Sequence, residues 1–310
     1  MDARETEAFL AARKIPFQRD FPLFEYTTFR IGGNADFFVT PRTAEDLTLL
    51  QGWLGERQIP VFILGGGSNL LISDAGFRGV VIHPDLGEES RILEQSASHL
   101  KVFVPASARA PLTGKKISAL GFTGLEFLTT IPGHFGGSII QNAGCYGHEL
   151  RDSVVSVSAV TEGALLEITR DACNFTYRNS LFKSDARYWI AGATLEITGG
   201  NPAEIEAKIA DYKARRIASQ PKNRRSAGSI FKNPAKAVSE KKAWQLIDAA
   251  GLRGVKEGGC EISAEHCNFI VNNGGGKAAE VYALSKLIET KVFETTGIRL
   301  EREVVFVGAF

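Results

Sequence analysis

Arg178, in Tyr177-Arg178-Asn179-Ser180, carries a permanent charge that can brace a carboxylate or an enolate. Tyr177 beside it offers a hydrogen-bond donor at the end of a flat ring. Taken alone, a surface arginine in a loop accounts for the same residues. Ser229 lies in Ala227-Gly228-Ser229-Ile230-Phe231-Lys232-Asn233-Pro234, where a tight glycine turn exposes a hydroxyl with little side-chain entropy to lose. A hydroxyl turn ahead of a proline is the plainer account. Pro221 precedes it, with Lys222, Arg224 and Arg225 bringing positive charge suited to phosphates. The G-x-S-x-G pattern of a hydrolase elbow is absent. Glu303, in Glu301-Arg302-Glu303-Val304, fits a proton relay or an ion-pair partner, and His266, just ahead of a strand, reads as structural.

Two glycine-rich stretches offer a place for a ligand. Leu64-Gly65-Gly66-Gly67-Ser68-Asn69-Leu70 directly follows the apolar run Val61-Phe62-Ile63-Leu64. Glycines there let the chain turn sharply and bring N–H groups close to a ligand, with Ser68 and Asn69 adding side-chain donors, which is the chemistry of a pyrophosphate cradle. It is neither G-x-G-x-x-G nor a Walker loop, and a simple turn between strands would use the same residues. The second stretch, Ile131-Pro132-Gly133-His134-Phe135-Gly136-Gly137-Ser138 followed by Asn142-Ala143-Gly144-Cys145-Tyr146-Gly147, has five glycines in the fifteen residues 133–147. Two such stretches suit a long ligand, and a dinucleotide such as FAD is long enough to need both.

The elements that must carry these residues follow from periodicity. Leu47, Leu50 and Leu54 step by three and four along one helix face, as do Val281, Leu284, Ile288 and Val292. Further helices are expected near 112–120, 203–217 and 243–250, the last stopped by Gly251. Strands are expected at 36–39, 61–64, 80–82, 102–104, 154–160, 165–169, 188–197, 269–271 and 304–307. With 310 residues and roughly 100–200 per domain, the chain divides as 1–85, 86–200 and 201–310. A net charge of +1 gives no general field for nucleic acid or an anionic membrane, so none is expected as partner. No apolar run approaches the ~18 residues of a membrane span, and the charged first residues lack a signal core. Cys145, Cys173, Cys260 and Cys267 show no C-x-x-C spacing, so four reduced thiols, no metal and a cytoplasmic location are expected.

Taken in order, these segments resemble the UDP-N-acetylenolpyruvoylglucosamine reductases. The resemblance runs from Thr28-Phe29-Arg30-Ile31-Gly32-Gly33 through Gly65-Gly66-Gly67-Ser68-Asn69, Ile131-Pro132-Gly133, Asn142-Ala143-Gly144, Tyr177-Arg178-Asn179-Ser180, Ala227-Gly228-Ser229 and His266-Cys267-Asn268-Phe269-Ile270-Val271-Asn272 to Glu303. It implies an α+β fold, a two-part FAD-binding module of the vanillyl-alcohol-oxidase type followed by an α+β substrate domain at 201–310. It also implies bound FAD, NADPH as co-substrate, a UDP-sugar substrate and a monomer or weak oligomer. Gly65, Gly66, Gly67, Ser68, Asn69, Ile131, Pro132, Gly136, Gly137, Ser138, Asn142, Ala143 and Gly144 would hold FAD, and Tyr177, Lys222 and Asn233 the substrate. After hydride delivery to the vinyl carbon, Arg178 and Glu303 would stabilise the enolate-like intermediate, with Glu303 as a protonated donor in a dry site, and Ser229 would give the proton. No long insertion lies near Tyr177, as in the compact branch without a substrate-capping tyrosine loop. His134 and Phe135 stand where small or β-branched residues are usual, Cys145, Cys260 and Cys267 where alanine is frequent, and Val305 where an arginine is common.

Two other readings share these residues. A flavin oxidase acting on an alcohol would need a base above the flavin, which the Ser229 and Glu303 segments do not suggest; reduction of bound flavin by NADPH or by simple alcohols separates the two. A nucleotide-sugar binding protein without chemistry would have no use for Arg178, Ser229 and Glu303; a tightly held UDP-sugar with no turnover would favour it.

Overall fold

The structure, a computed structural model, describes residues 1–223 and 225–310; Arg224, one of the cations expected near phosphate, lies outside the described residues. The chain forms two compact units, each assembled from three segments. Unit 1 comprises Met1–Arg19, Phe37–Gly66 and Gly79–Arg216, and unit 2 comprises Asp20–Asp36, Gly67–Arg78 and Ile217–Phe310.

In unit 1 the β-branched runs of the middle of the sequence build a sheet ordered Ala164–Thr169, Val154–Thr161, Trp189–Gly199, His99–Pro105, Arg91–Gln95, with Phe122–Thr123 beside the end of Trp189–Gly199. Its pairs are antiparallel, Ala193 facing Val104 and Val157 facing Ile168. The inward row Leu100, Val102, Val104 packs with Ile117 of helix Ala110–Ala119, with Phe127 and Leu128, and with Phe135 and Ile139 of the short helix Phe135–Ile140. That packing fixes the second glycine-rich stretch to the sheet. A second core gathers Leu47, Leu50 and Leu54 of helix Ala44–Glu56 with Phe37, Val39, Val80 and Ile82. Thr43 starts that helix with a capping box closed by Asp46. Strands Val61–Ile63 and Phe77–Ile82 pair in parallel, Val61 facing Val80, so the chain leaves Ile63 directly into the Gly65-Gly66 turn.

In unit 2 helices Ala243–Ala249 and Ala278–Thr296 bury Leu246, Ile247, Val281, Leu284, Ile288 and Val292 around Phe29, Ile31, Leu71, Ile230 and Phe231. An antiparallel sheet, Lys256–Glu257, Cys260–Ile262, Ile270–Asn272, and a parallel pair, Leu70–Ile72 with Val305–Val307, complete it. Helix Ala278–Thr296 starts on the Asp74 carboxylate, which accepts from the N–H groups of Ala278 (2.8 Å) and Ala279 (3.0 Å), and ends at Gly297 with φ +71°.

The expected elements are present with their ends moved. The helix expected at 203–217 spans Pro202–Ser219, and the strand at 36–39 begins at Asn34. The strand expected at 269–271 is Ile270–Asn272, and the last, expected from Val304, is Val305–Val307. Sequence reading passed over the N-terminal helix Ala3–Ala12, strand Phe17–Pro22 and strand Arg91–Gln95, whose side chains are all exposed. An exposed edge strand such as Arg91–Gln95 needs no apolar alternation, so it leaves no periodic signal. No helix of the described residues is long and apolar enough to cross a membrane.

Candidate active site

Unit 1 brings the two glycine-rich stretches together. A Cβ at Gly66 would stand 2.6 Å from the Gly133 Cα and 3.0 Å from the His134 nitrogen, so the two backbones meet where no side chain fits. A Cβ at Gly65 would lie 3.6 Å from the His134 Cβ. Gly133 holds φ +111° while its carbonyl accepts from the Ala110 N–H at 3.0 Å. Gly65, Gly66 and Gly133 are half-buried where the two stretches meet, a partly exposed glycine backbone that fits the phosphate-bearing stretch of a dinucleotide.

Within the second stretch the residues divide. Gly137 is exposed with open space where a Cβ would be, Pro132 is exposed and Ile131 half-buried. Gly136 is buried because a Cβ would reach 2.9 Å from that of Ala106. Gly144 is needed because a Cβ would meet the His148 carbonyl oxygen at 2.3 Å. Ser138 is buried, its hydroxyl donating to the His134 carbonyl at 3.4 Å, and Ala143 is buried, its N–H donating to the Ser138 carbonyl. Asn142 is fully buried with φ +42°. Its amide donates to Glu149 and to the Thr176 carbonyl, and its oxygen accepts from the Arg151 N–H. Asn142 therefore ties this stretch to the turn that carries Arg178.

That turn is closed by reciprocal bonds between Thr176 and Asn179, at 3.0 and 3.1 Å. Arg178 occupies its third position with φ +55°, a conformation uncommon outside glycine and held here by the surroundings. Lys183 donates to the Arg178 carbonyl and to Gln141, and Ser180 to the Ile140 carbonyl, so the turn is bolted to the end of helix Phe135–Ile140. The Arg178 guanidinium lies 5.4 Å from the centroid of the exposed Tyr177 ring.

Unit 2 brings Ser229 and Glu303 to one backbone. The Ile230 carbonyl accepts from the N–H of Glu303 at 2.8 Å, and Phe231 bridges Arg302. On the other side Asn268 grips the same segment: its oxygen accepts from the Phe231 N–H (3.0 Å), its amide donates to the Phe231 carbonyl (2.9 Å), and its carbonyl accepts from the Ile230 N–H. Asn69 donates to the Glu303 carbonyl at 3.1 Å and accepts at its own carbonyl from Val305. Gly67, with φ +60°, lies so close to Tyr26 that a Cβ would reach 1.9 Å from the Tyr26 carbonyl oxygen. The Thr28 N–H donates to the Gly67 carbonyl and the Thr28 hydroxyl to the Ser226 carbonyl, 2.6 Å away. The Gly67-Ser68-Asn69 turn, Ser229 and Glu303 are thus one linked construction within unit 2.

Lys222 is exposed, its N–H on Glu265, and the Asn233 side-chain oxygen caps helix Ala243–Ala249 by accepting from the Ala243 N–H. His266 stacks edge-on against Phe269 and its pKa is lowered by burial, a structural setting as expected. The four cysteines are free; burial pushes the Cys173 and Cys260 thiols up to about 12 and raises those of Cys145 and Cys267. Sequence reading gave no role to Asn268, Thr28, Asp74 or His83. Asn268 and Thr28 lie inside quoted motifs, and an amide or hydroxyl there was the available signal.

An α+β fold in which two glycine-rich turns meet defines the class: residues 35–169 match the FAD binding domain family. Residues 220–307 match the C-terminal domain of UDP-N-acetylenolpyruvoylglucosamine reductase. The reductase of that name from Leptospira interrogans is 40% identical, covering 98% of this chain and 96% of its own. The Paracoccus denitrificans reductase is 42% identical over 92% and 94%. The crystal structure of the Thermus caldophilus reductase superposes with a TM-score of 0.79 at 31% identity, over 95% of this chain and 99% of that one. This chain belongs to the UDP-N-acetylenolpyruvoylglucosamine reductase family.

Proposed function

We propose that Arg178, Ser229 and Glu303 carry the reductive chemistry of this family in the present chain. The chain is an FAD-dependent oxidoreductase that reduces UDP-N-acetylglucosamine enolpyruvate to UDP-N-acetylmuramate with NADPH, a step of cell-wall synthesis. The backbone meeting of Gly66 with Gly133 fits FAD, with Gly65, Gly66, Ile131, Pro132 and Gly137 as its contacts in unit 1. When bound, FAD would supply the hydride for the vinyl carbon of the substrate, with NADPH as its source.

The protein's own groups handle the charge that results. Hydride at the methylene leaves negative charge on the adjacent carbon and its carboxylate. Arg178 faces that charge with a guanidinium held by a locked turn, and Glu303 donates a hydrogen bond to it. The Ser229 O–H then breaks as a C–H bond forms at the carboxyl-bearing carbon, and water reprotonates the serine. Tyr177, Lys222 and Asn233 are proposed for substrate phosphate and sugar. A cytoplasmic location, where the UDP-sugar and NADPH are at hand, is supported by four free thiols. A monomer or weak oligomer is proposed for its assembly.

The observation that carries this reading is the convergence of the Ser229 and Glu303 segments on the Ile230 carbonyl. In stopped flow, Ser229→Ala is expected to keep NADPH reduction of the flavin and lose reoxidation by the enolpyruvyl substrate by about 10²–10⁴-fold. Reoxidation at the wild-type rate would refute the assignment of Ser229.

A further inference from the structure

Two histidines that the chemistry above does not use stand together beside the Gly65-Gly66 turn of unit 1. The His83 and His134 rings lie 5.5 Å apart, and Phe38 stacks on His83, also at 5.5 Å. The His83 Nδ1 is 2.8 Å from the carbonyl oxygen of Leu64, the residue that enters the turn. That contact makes Nδ1 the donor and turns Nε2 away from Leu64. His134 follows Gly133, the residue against which Gly66 packs, and its Cβ flanks Gly65. A pair of imidazoles is thereby fixed to both glycine segments of the cradle. The charged groups around the pair are Asp85, Glu88 and Arg109.

We propose that His134, braced by His83, is a ligand of the FAD pyrophosphate, and that cofactor binding takes up a proton from solvent onto this pair. The inference rests on the FAD reading and deepens it. Burial comes first among the causes that hold both imidazoles below their ordinary value, and for His134 the neighbouring His83 comes next, so the pair is neutral at pH 7 without the cofactor. A pyrophosphate stays anionic across this range. Its charge offsets the cost of protonating one ring and favours the cation. Affinity for FAD must then rise as pH falls.

The test uses the full chain stripped of FAD. Its Kd for FAD is read by flavin fluorescence quenching from pH 6 to 8.5, and proton uptake at pH 7.5 by calorimetry in two buffers of different ionisation enthalpy. The expected result is a Kd that weakens with rising pH, by at most about tenfold per unit for one linked proton, and a buffer-dependent heat corresponding to uptake. His134→Gln should flatten the pH dependence and raise Kd about tenfold, the loss of one charge-assisted hydrogen bond. A pH-independent Kd, no buffer dependence, or a His134→Gln protein with the wild-type slope would overturn the proposal while leaving the FAD reading intact. If His134→Gln fails to fold, wild-type calorimetry decides alone. Absence of FAD binding at every pH would overturn both.

Discussion

Arg178, Ser229 and Glu303 differ in how they are held. Arg178 is fixed by a left-handed backbone conformation, Glu303 by hydrogen bonds at its N–H and carbonyl, and Ser229 by a glycine turn with Gly228 at φ +78°. Motif order singled out all three in the sequence. Their anchors were not singled out, because Asn268 is recognisable as a clamp only when Ile230 and Phe231 lie against it. Replacing Asn268 with Leu leaves the Phe231 N–H and carbonyl buried without these partners. At about 1–3 kcal/mol for each lost partner, a destabilisation of several kcal/mol is expected in urea unfolding. A midpoint equal to wild type would show that the clamp is dispensable. Glu303→Ala keeps the backbone contacts but removes the donor, so the substrate half-reaction should slow while FAD content is unchanged; titration of released flavin and single-turnover rates check both.

At the scale of elements, glycine runs show what sequence can and cannot separate. Gly65-Gly66-Gly67 and Gly274-Gly275-Gly276 look alike as strings, and both follow a strand. In the second, the Asn272 side chain accepts from the Gly274 and Gly276 N–H groups, and Asp74 takes the first N–H groups of the helix that follows. The second run is self-satisfied structure, whereas Gly66 is pressed against Gly133. Gly66→Ala must displace that backbone, so the protein is expected to purify with well under one FAD per chain, measured by the flavin-to-protein absorbance ratio. Full occupancy would remove Gly66 from the cradle. Asp74→Ala should cost about 1 kcal/mol through the lost cap, without changing FAD content.

For the whole molecule, the sequence reading cut the chain into consecutive stretches, while the structure assembles each unit from three segments. Core patterning cannot disclose this, because Phe29, Ile31 and Leu71 carry no mark showing that they pack with Val281 and Ile288 rather than with their neighbours in sequence. Acid stability is also a property of the whole. Burial holds His83, His134 and His266 below the ordinary imidazole value of about 6.5 in the folded chain, so the unfolded chain binds protons first. Stability of the FAD-free protein is therefore complete above pH 6.5 and falls as pH drops below it, which thermal unfolding from pH 8 to 5 would show. Reduction through FAD underlies all of this chemistry. The most direct measurement is anaerobic: NADPH is added to the purified yellow protein, then UDP-N-acetylglucosamine enolpyruvate, with flavin absorbance followed throughout. Bleaching by NADPH and recovery of colour with one UDP-N-acetylmuramate formed per flavin is the expected result. A colourless protein that cannot take up FAD, or reduced flavin untouched by the enolpyruvyl substrate, would contradict it.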